Sequence, residues 1–170
     1  MSRARVKRKP SARASRARLP AGKRIACVVS TYHEDVTSGM LSSALETLAA
    51  AGIGRDSVQV VAAPGAFEMP VVAQRLCARK DIAAVLCFGL VLKGETEHDR
   101  YISEACAQGL MRVALETGTP VLFGVLTCAT LEQAALRARR ESEGGLDKGR
   151  EVALATLEVL SALRTASEDA

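Results

Sequence analysis

The sequence predicts a doubly wound α/β fold: three α/β/α layers around a four-stranded parallel sheet. Four short, β-rich apolar runs lack polar alternation, which marks strands buried on both faces. A helical period follows each run, the rhythm of a parallel sheet with crossover helices. Size agrees: 170 residues, 48% hydrophobic and 25% charged, suit one globular domain with a real core. Collagen-like, mucin-like and wholly disordered classes are excluded by the same composition.

The first run covers residues 25–30. Asp35 is positioned to cap the helix that follows, in which Val36, Met40, Leu41, Ala44, Leu45 and Leu48 share a face and Gly52 stops the chain. The second run, residues 58–63, ends at Pro64-Gly65, and Pro70 suits the first turn of a helix ending near Arg79. The third, residues 82–92, is almost continuously apolar and leads through Gly94 into a long helix. Ile102, Cys106, Leu110, Val113 and Leu115 are expected on its buried side. Residues 120–127 form the fourth run, and Thr130 with Gln133 makes a capping box for the next helix. Gly144-Gly145 break the chain before a last helix over residues 148–163.

The formal charge of +4 divides unevenly. Residues 1–24 carry ten Lys/Arg and no acid, while the remainder sums to −6. A basic, Ser- and Pro-containing segment with few large apolar side chains cannot bury enough surface to fold alone. The expectation is a disordered basic tail over residues 1–24 and a catalytic domain over residues 25–170. The tail's composition suits an organelle transit peptide, a polyanion-binding arm or an inert extension alike. Nucleic acid is therefore a partner only through the tail, and no segment is long and apolar enough to suggest a membrane span. Cys27, Cys77, Cys87, Cys106 and Cys128 are odd in number, lack any CxxC pair and sit mostly in apolar runs. They read as reduced core thiols of a cytoplasmic protein.

Ligands of doubly wound sheets bind outside the carboxyl ends of the strands. The chain has only two histidines and five aromatics, so where they fall is informative. Tyr32 and His33 follow the first strand, Phe67 the second and His98 the third; Thr127 and Cys128 close the fourth. Singly, each has a bland explanation as a core cap or a solvated side chain; together on one rim they mark a site. Gly94 to His98 is the most chemical segment. A glycine turn entering a helix leaves N–H groups that, with the Thr96 hydroxyl, can hold a phosphate, and His98 there can move protons near neutral pH. Glu68 can accept hydroxyl hydrogen bonds, and Arg137 can supply a planar fork to phosphate.

Four co-linear segments carry a family resemblance: Gly65-Ala66-Phe67-Glu68-Met69-Pro70; the stretch from Gly89 to His98; Phe123-Gly124-Val125-Leu126-Thr127 with Leu131-Glu132-Gln133-Ala134; and Asp147-Lys148-Gly149-Arg150-Glu151-Val152-Ala153. In order and spacing they resemble lumazine synthase over residues 25–164. The resemblance implies a flavodoxin-like doubly wound fold and a transferase of riboflavin biosynthesis, with no metal or organic cofactor. The reaction implied condenses 5-amino-6-(D-ribitylamino)uracil with 3,4-dihydroxy-2-butanone 4-phosphate to 6,7-dimethyl-8-ribityllumazine, phosphate and water.

Carried over by position, Tyr32 stacks on the uracil ring and Ala66, Phe67 and Glu68 follow the ribityl chain. Val91, Leu92 and Lys93 present backbone groups to the pyrimidine edge, and Lys148 reaches a ring carbonyl. Glu95 and Thr96 hold the phosphate opposite Arg137, and His98 is the acid/base. Phe123 and Arg137 are implied to enter from a neighbouring subunit of a homopentamer or higher homo-oligomer, up to an icosahedral shell, with riboflavin synthase as an associating protein. The chain departs from the family pattern at His33, where Asn is usual; at Asp99-Arg100, where an aromatic and then Asp commonly follow the histidine; and at Ser43, where a helix glycine is usual. These departures motivate the alternative of a catalytically weak paralogue that binds lumazine or flavin, or serves as a shell protein.

Overall fold

The computed structural model describes residues 19–168. Within them four parallel strands, β1 (Arg24–Ser30), β2 (Val58–Ala63), β3 (Ile82–Leu92) and β4 (Val121–Cys128), form one sheet in the order β2-β1-β3-β4. Five α-helices accompany it: α1 (Glu34–Ala50), α2 (Met69–Cys77), α3 (His98–Thr117), α4 (Leu131–Ala138) and α5 (Lys148–Glu168). The chain leaves β1 for β2 on one side and returns to β3 on the other, so the winding reverses between β1 and β3. That is where a crevice opens in such sheets.

Alternation along the strands explains why they read as unbroken apolar runs. Ile25 and Cys27 of β1 and Leu86, Phe88 and Leu90 of β3 pack beneath α1, α4 and α5, against Met40, Leu48, Ala134 and Leu157. The intervening Ala26, Val28, Val85 and Cys87 meet Met69, Ala73, Cys106 and Leu110 of α2 and α3 on the other face. The expected three-layer α/β/α fold is thus the observed one. Each face is covered, so neither can be polar.

Local expectations fare unevenly. Thr130 caps α4 as expected, its hydroxyl accepting from the Gln133 N–H at 3.3 Å, while the Gln133 side chain accepts from the Ala129 N–H at 3.2 Å. Pro70 falls in the first turn of α2, but that helix ends at Cys77, before Arg79. Asp35 is not the cap of α1. The helix starts at Glu34 after a left-handed His33 (φ 61°, ψ 48°), because the chain must turn sharply off β1, and Asp35 lies within the first turn. Leu115 is 77% exposed. It lies about 200° around the helix from buried Val113, on the opposite face. β4 starts one residue after Pro120 and ends at Cys128, and α5 continues past Leu163 to Glu168.

The basic tail lies outside the described residues as far as residue 18. Beyond it, Leu19 packs against the core and Arg24 already belongs to β1, its N–H donating to the Asp81 carbonyl at 2.7 Å. No helix among the described residues is long and apolar enough to cross a membrane.

All five cysteines are free and buried. Burial pushes the Cys27 thiol from 9.0 up to about 12, against a smaller opposing pull from Arg55, and Cys106 up to about 11. A raised folded-state value means the folded thiol keeps a proton the unfolded one has lost, so this contribution is complete below pH 9.0 and disappears as pH rises toward about 12. At about pH 8 a thiol-specific disulfide reagent is expected to label no cysteine of the folded protein and all five after denaturation. The thermal midpoint should fall as pH is raised through that alkaline window.

α5 lies close against α1 at Gly149, where a Cβ would stand 2.1 Å from the Met40 carbonyl oxygen. Gly149→Ala is expected to cost about 3 kcal/mol, read as a lower thermal midpoint. Gly54→Ala, with nothing within 4 Å of the added carbon, should leave the midpoint unchanged.

Candidate active site

The sheet's unequal strands build the site. β1 pairs with β3 as far as Val29 opposite Phe88, and then stops at Ser30. β3 continues through Leu90, Val91 and Leu92, held on its far side by β4. The Lys93 N–H donates to the Cys128 carbonyl at 2.9 Å, toward β4. Backbone groups alternate sides along a strand, so Leu92 turns its N–H and C=O the other way, to where β1 has ended. This edge can hydrogen-bond a planar ligand as a further strand would.

Around that edge lies a cavity of about 770 Å³. The turn after β1 contributes Tyr32 and His33; the turn after β2 contributes Gly65, Ala66, Phe67 and Glu68. From β3 and its loop come Leu90, Val91, Leu92, Lys93, Gly94 and Thr96, and α3 adds His98, Asp99, Tyr101 and Ile102. Nine of the expected site residues are brought together here: Tyr32, Ala66, Phe67, Glu68, Val91, Leu92, Lys93, Thr96 and His98.

Exposed aromatics distinguish this rim from ordinary surface. Tyr32 is 69% exposed, Phe67 60% and Tyr101 66%, all three on the one cavity, whereas Phe88 is the core's single aromatic. Large rings left in water next to a crevice are platforms for a ligand. The rings of Tyr32 and His33 meet edge to face at 4.9 Å, which fixes the orientation of the first platform. Glu68 precedes α2 and curls back over Gly65: a Cβ there would lie 3.1 Å from its Oε2. His98 opens α3, and its N–H donates to the Thr96 hydroxyl at 3.4 Å. The Gly94 N–H donates to Asp99 Oδ1 at 3.4 Å, so a carboxylate closes the loop where an anion was expected.

The other expected residues do not line this cavity. Glu95 is exposed on the loop between β3 and α3. Phe123 is 46% exposed on edge strand β4. Arg137 donates to the Gln133 carbonyl of its own helix, at 2.9 Å. Lys148, at the start of α5, pairs with Glu151 at 2.7 Å. Tyr101 was not anticipated as a site residue, although His98, Tyr101 and Ile102 have the i, i+3, i+4 spacing that shares one helix face. Among the described residues no three His, Cys, Asp or Glu side chains are grouped to hold a metal ion.

A platform of rings, an open strand edge, a carboxylate for hydroxyls and an imidazole beside an N–H-rich loop suit a planar, hydroxylated ligand and proton transfer. Comparison with known proteins points the same way. A family model described as 6,7-dimethyl-8-ribityllumazine synthase matches residues 22–164. The chain is 46% identical over 151 residues to the 6,7-dimethyl-8-ribityllumazine synthase 1 of Caulobacter vibrioides, covering 89% of this chain and 97% of that protein. It is 42% identical over 146 residues to the 6,7-dimethyl-8-ribityllumazine synthase of Stenotrophomonas maltophilia, covering 86% and 92%. The Salinibacter ruber protein of the same name is 43% identical over 138 residues, covering 81% and 86%.

Proposed function

The chain belongs to the 6,7-dimethyl-8-ribityllumazine synthase family, and from that membership we propose how its rim residues carry out the reaction. The protein is a transferase of riboflavin biosynthesis, condensing 5-amino-6-(D-ribitylamino)uracil with 3,4-dihydroxy-2-butanone 4-phosphate to give 6,7-dimethyl-8-ribityllumazine, phosphate and water. The assignment of roles rests on the crevice beyond the end of β1, which offers a stacking ring and an unpaired strand edge at once.

The uracil ring stacks on Tyr32 and lies along the Val91, Leu92 and Lys93 edge, where Leu92 turns its backbone N–H and C=O toward it. The ribityl chain runs past Ala66 and Phe67, with Glu68 accepting its hydroxyl hydrogens. The backbone at Glu95 and the Thr96 hydroxyl hold the phosphate, and Asp99 yields the Gly94 N–H to it. The substrate amine attacks the ketone and water leaves, forming an imine. Loss of the neighbouring C–H proton expels phosphate and leaves an enol, which becomes a second carbonyl. The ribityl-bearing nitrogen closes the ring on that carbonyl with loss of water. His98 stands at the N–H-rich loop to move these protons. Holding both substrates in one crevice supplies much of the acceleration.

Among the described residues the chain's own cavity offers the phosphate no guanidinium, and Lys93 stands there with the side chains of Glu68 and Asp99. Arg137 is outside it, with no anionic partner within its own helix. This supports a homopentamer or higher homo-oligomer in which Arg137 and Phe123 complete the crevice of the neighbouring subunit, with Lys148 reaching a ring carbonyl. Buried unpaired thiols suit a reducing, cytoplasmic setting. The segment before β1 is assigned no part in the chemistry, which lies wholly in the domain from residue 25 onward.

His98→Ala is expected to lower kcat roughly 10²–10³-fold without changing the native mass of the assembly. Arg137→Ala should instead raise KM for the phosphate substrate about tenfold or more. Co-refolding the two variants, assayed with the butanone phosphate well below the KM of Arg137→Ala, tests the shared site: mixed rings contain some crevices with both groups intact, so activity per subunit should exceed that of either variant alone. Absence of any recovery in verified mixed assemblies would place Arg137 in its own subunit's site.

A further inference from the structure

Two hydroxyls beneath the Tyr32 turn are buried and carry no role in the chemistry above. Ser30 is 1% exposed and Thr37 is fully buried. The Thr37 hydroxyl makes its shortest contact outside its own helix, donating to the Ser30 carbonyl at 2.9 Å; the His33 and Glu34 carbonyls lie farther, at 3.4 Å. This ties the second turn of α1 back to the last residue of β1. The Ser30 hydroxyl accepts from the Tyr32 N–H at 3.1 Å and lies 3.3 Å from both the Tyr32 and the Pro64 carbonyls, either of which can take its proton. The Tyr32 N–H also reaches the Pro64 carbonyl, at 3.2 Å, and the Thr31 N–H reaches that of Ala63 at 2.9 Å.

The three residues between strand and helix are therefore pinned from below and from the side. Pro64 is the start of the turn that carries Phe67 and Glu68. Tyr32 itself is 69% exposed and His33 sits in the left-handed region, so neither is held by burial. The hydroxyl bonds, added to the backbone bonds from Thr31 and Tyr32 to Ala63 and Pro64, hold the Tyr32 backbone against the turn that leads to Phe67 and Glu68, and the ring itself meets only His33 edge to face among the described residues.

We propose that Ser30 and Thr37 are positioning residues for the ribitylaminouracil substrate, setting the spacing between the ring-stacking turn after β1 and the ribityl-binding turn after β2. The proposal rests on the reading that Tyr32 stacks the uracil. It separates the two substrates, because the phosphate loop is built on β3 and α3 and makes none of these bonds.

Ser30→Ala and Thr37→Val remove one hydroxyl each with little change of volume, and Thr37→Ser keeps it. In the assembled full-length enzyme, KM for the ribitylaminouracil should rise about tenfold in Ser30→Ala and Thr37→Val, the scale of one lost hydrogen bond. KM for the butanone phosphate should stay within about twofold, and Thr37→Ser should restore the parent value. Equal rises in both KM values, or unchanged KM values with only a lower thermal midpoint, would show that the hydroxyls serve stability alone and overturn the proposal. Ser30→Ala decides the matter by itself where Thr37→Val does not fold. Tyr32→Ala distinguishes the two levels of argument. If it leaves the ribitylaminouracil KM unchanged, the stacking role fails and the proposal with it; if it raises that KM while the hydroxyl variants do not, the positioning role alone fails.

Discussion

The site exists because β3 is longer than β1. A parallel sheet satisfies backbone groups strand by strand, and where one strand stops its neighbour's inward edge is left to another partner. Here the stop falls at Ser30, at the point where the winding of the sheet reverses, so among the described residues no strand pairs with Leu90 to Leu92 from that side. Lengthening β1 would pair the edge and close the crevice. Everything else at the rim is arranged around this gap: the turn after β1 has to swing away from it, and the αL conformation of His33 is the geometry of that swing.

The interior is arranged to leave the aromatic side chains free. A core of Ile, Val, Leu, Met, Ala and Cys, with Phe88 as its one ring, packs both faces of the sheet. Small residues let helices come close, as at Gly149 against Met40, and the buried Asp147 that precedes α5 accepts from the Ser43 hydroxyl at 2.5 Å. Ser43 occupies the position where the family usually has glycine; in this chain its hydroxyl joins α1 to the start of α5. The rings that would otherwise have stabilised a core stand at the crevice instead. Exposed rings are unfavourable in water and gain free energy when a planar ligand covers them.

Most of the architecture was legible because burial on both faces leaves a strong trace: the unbroken apolar run of β3 could belong only to a central strand. Where one helix face decides, the reading was weaker. Leu115 looks like core by composition, yet its angle from Val113 puts it outside. Asp35 looks like a cap, but the turn off β1 selects the residue two positions earlier by backbone shape and not by side-chain chemistry. At the rim, residues that follow a strand directly were found from the alternation of elements alone. Tyr101 was passed over because it lies one helical turn inside α3, where a ring ordinarily signals packing. Glu95, Phe123 and Lys148 take their roles from the resemblance and Arg137 from its guanidinium as well, and a single chain places none of them in its cavity.

That last difference has an electrostatic reason. Among the described residues the acidic and basic side chains lining the crevice, histidines aside, are Glu68, Asp99 and Lys93, and one of the loop N–H groups is already taken by Asp99. Such a site favours cations over a dianion. Among the described residues Arg137 carries a planar fork bonded to a carbonyl of its own helix and to no carboxylate, so its positive charge is not neutralised there. Bringing that fork to a neighbour's loop reverses the sign of the local field without altering either chain's fold. Under the proposed arrangement, association and phosphate binding then become one thermodynamic event: the same contact that joins two subunits supplies the charge the substrate requires. An acidic domain can in this way bind an acidic substrate, provided it does so as part of a ring.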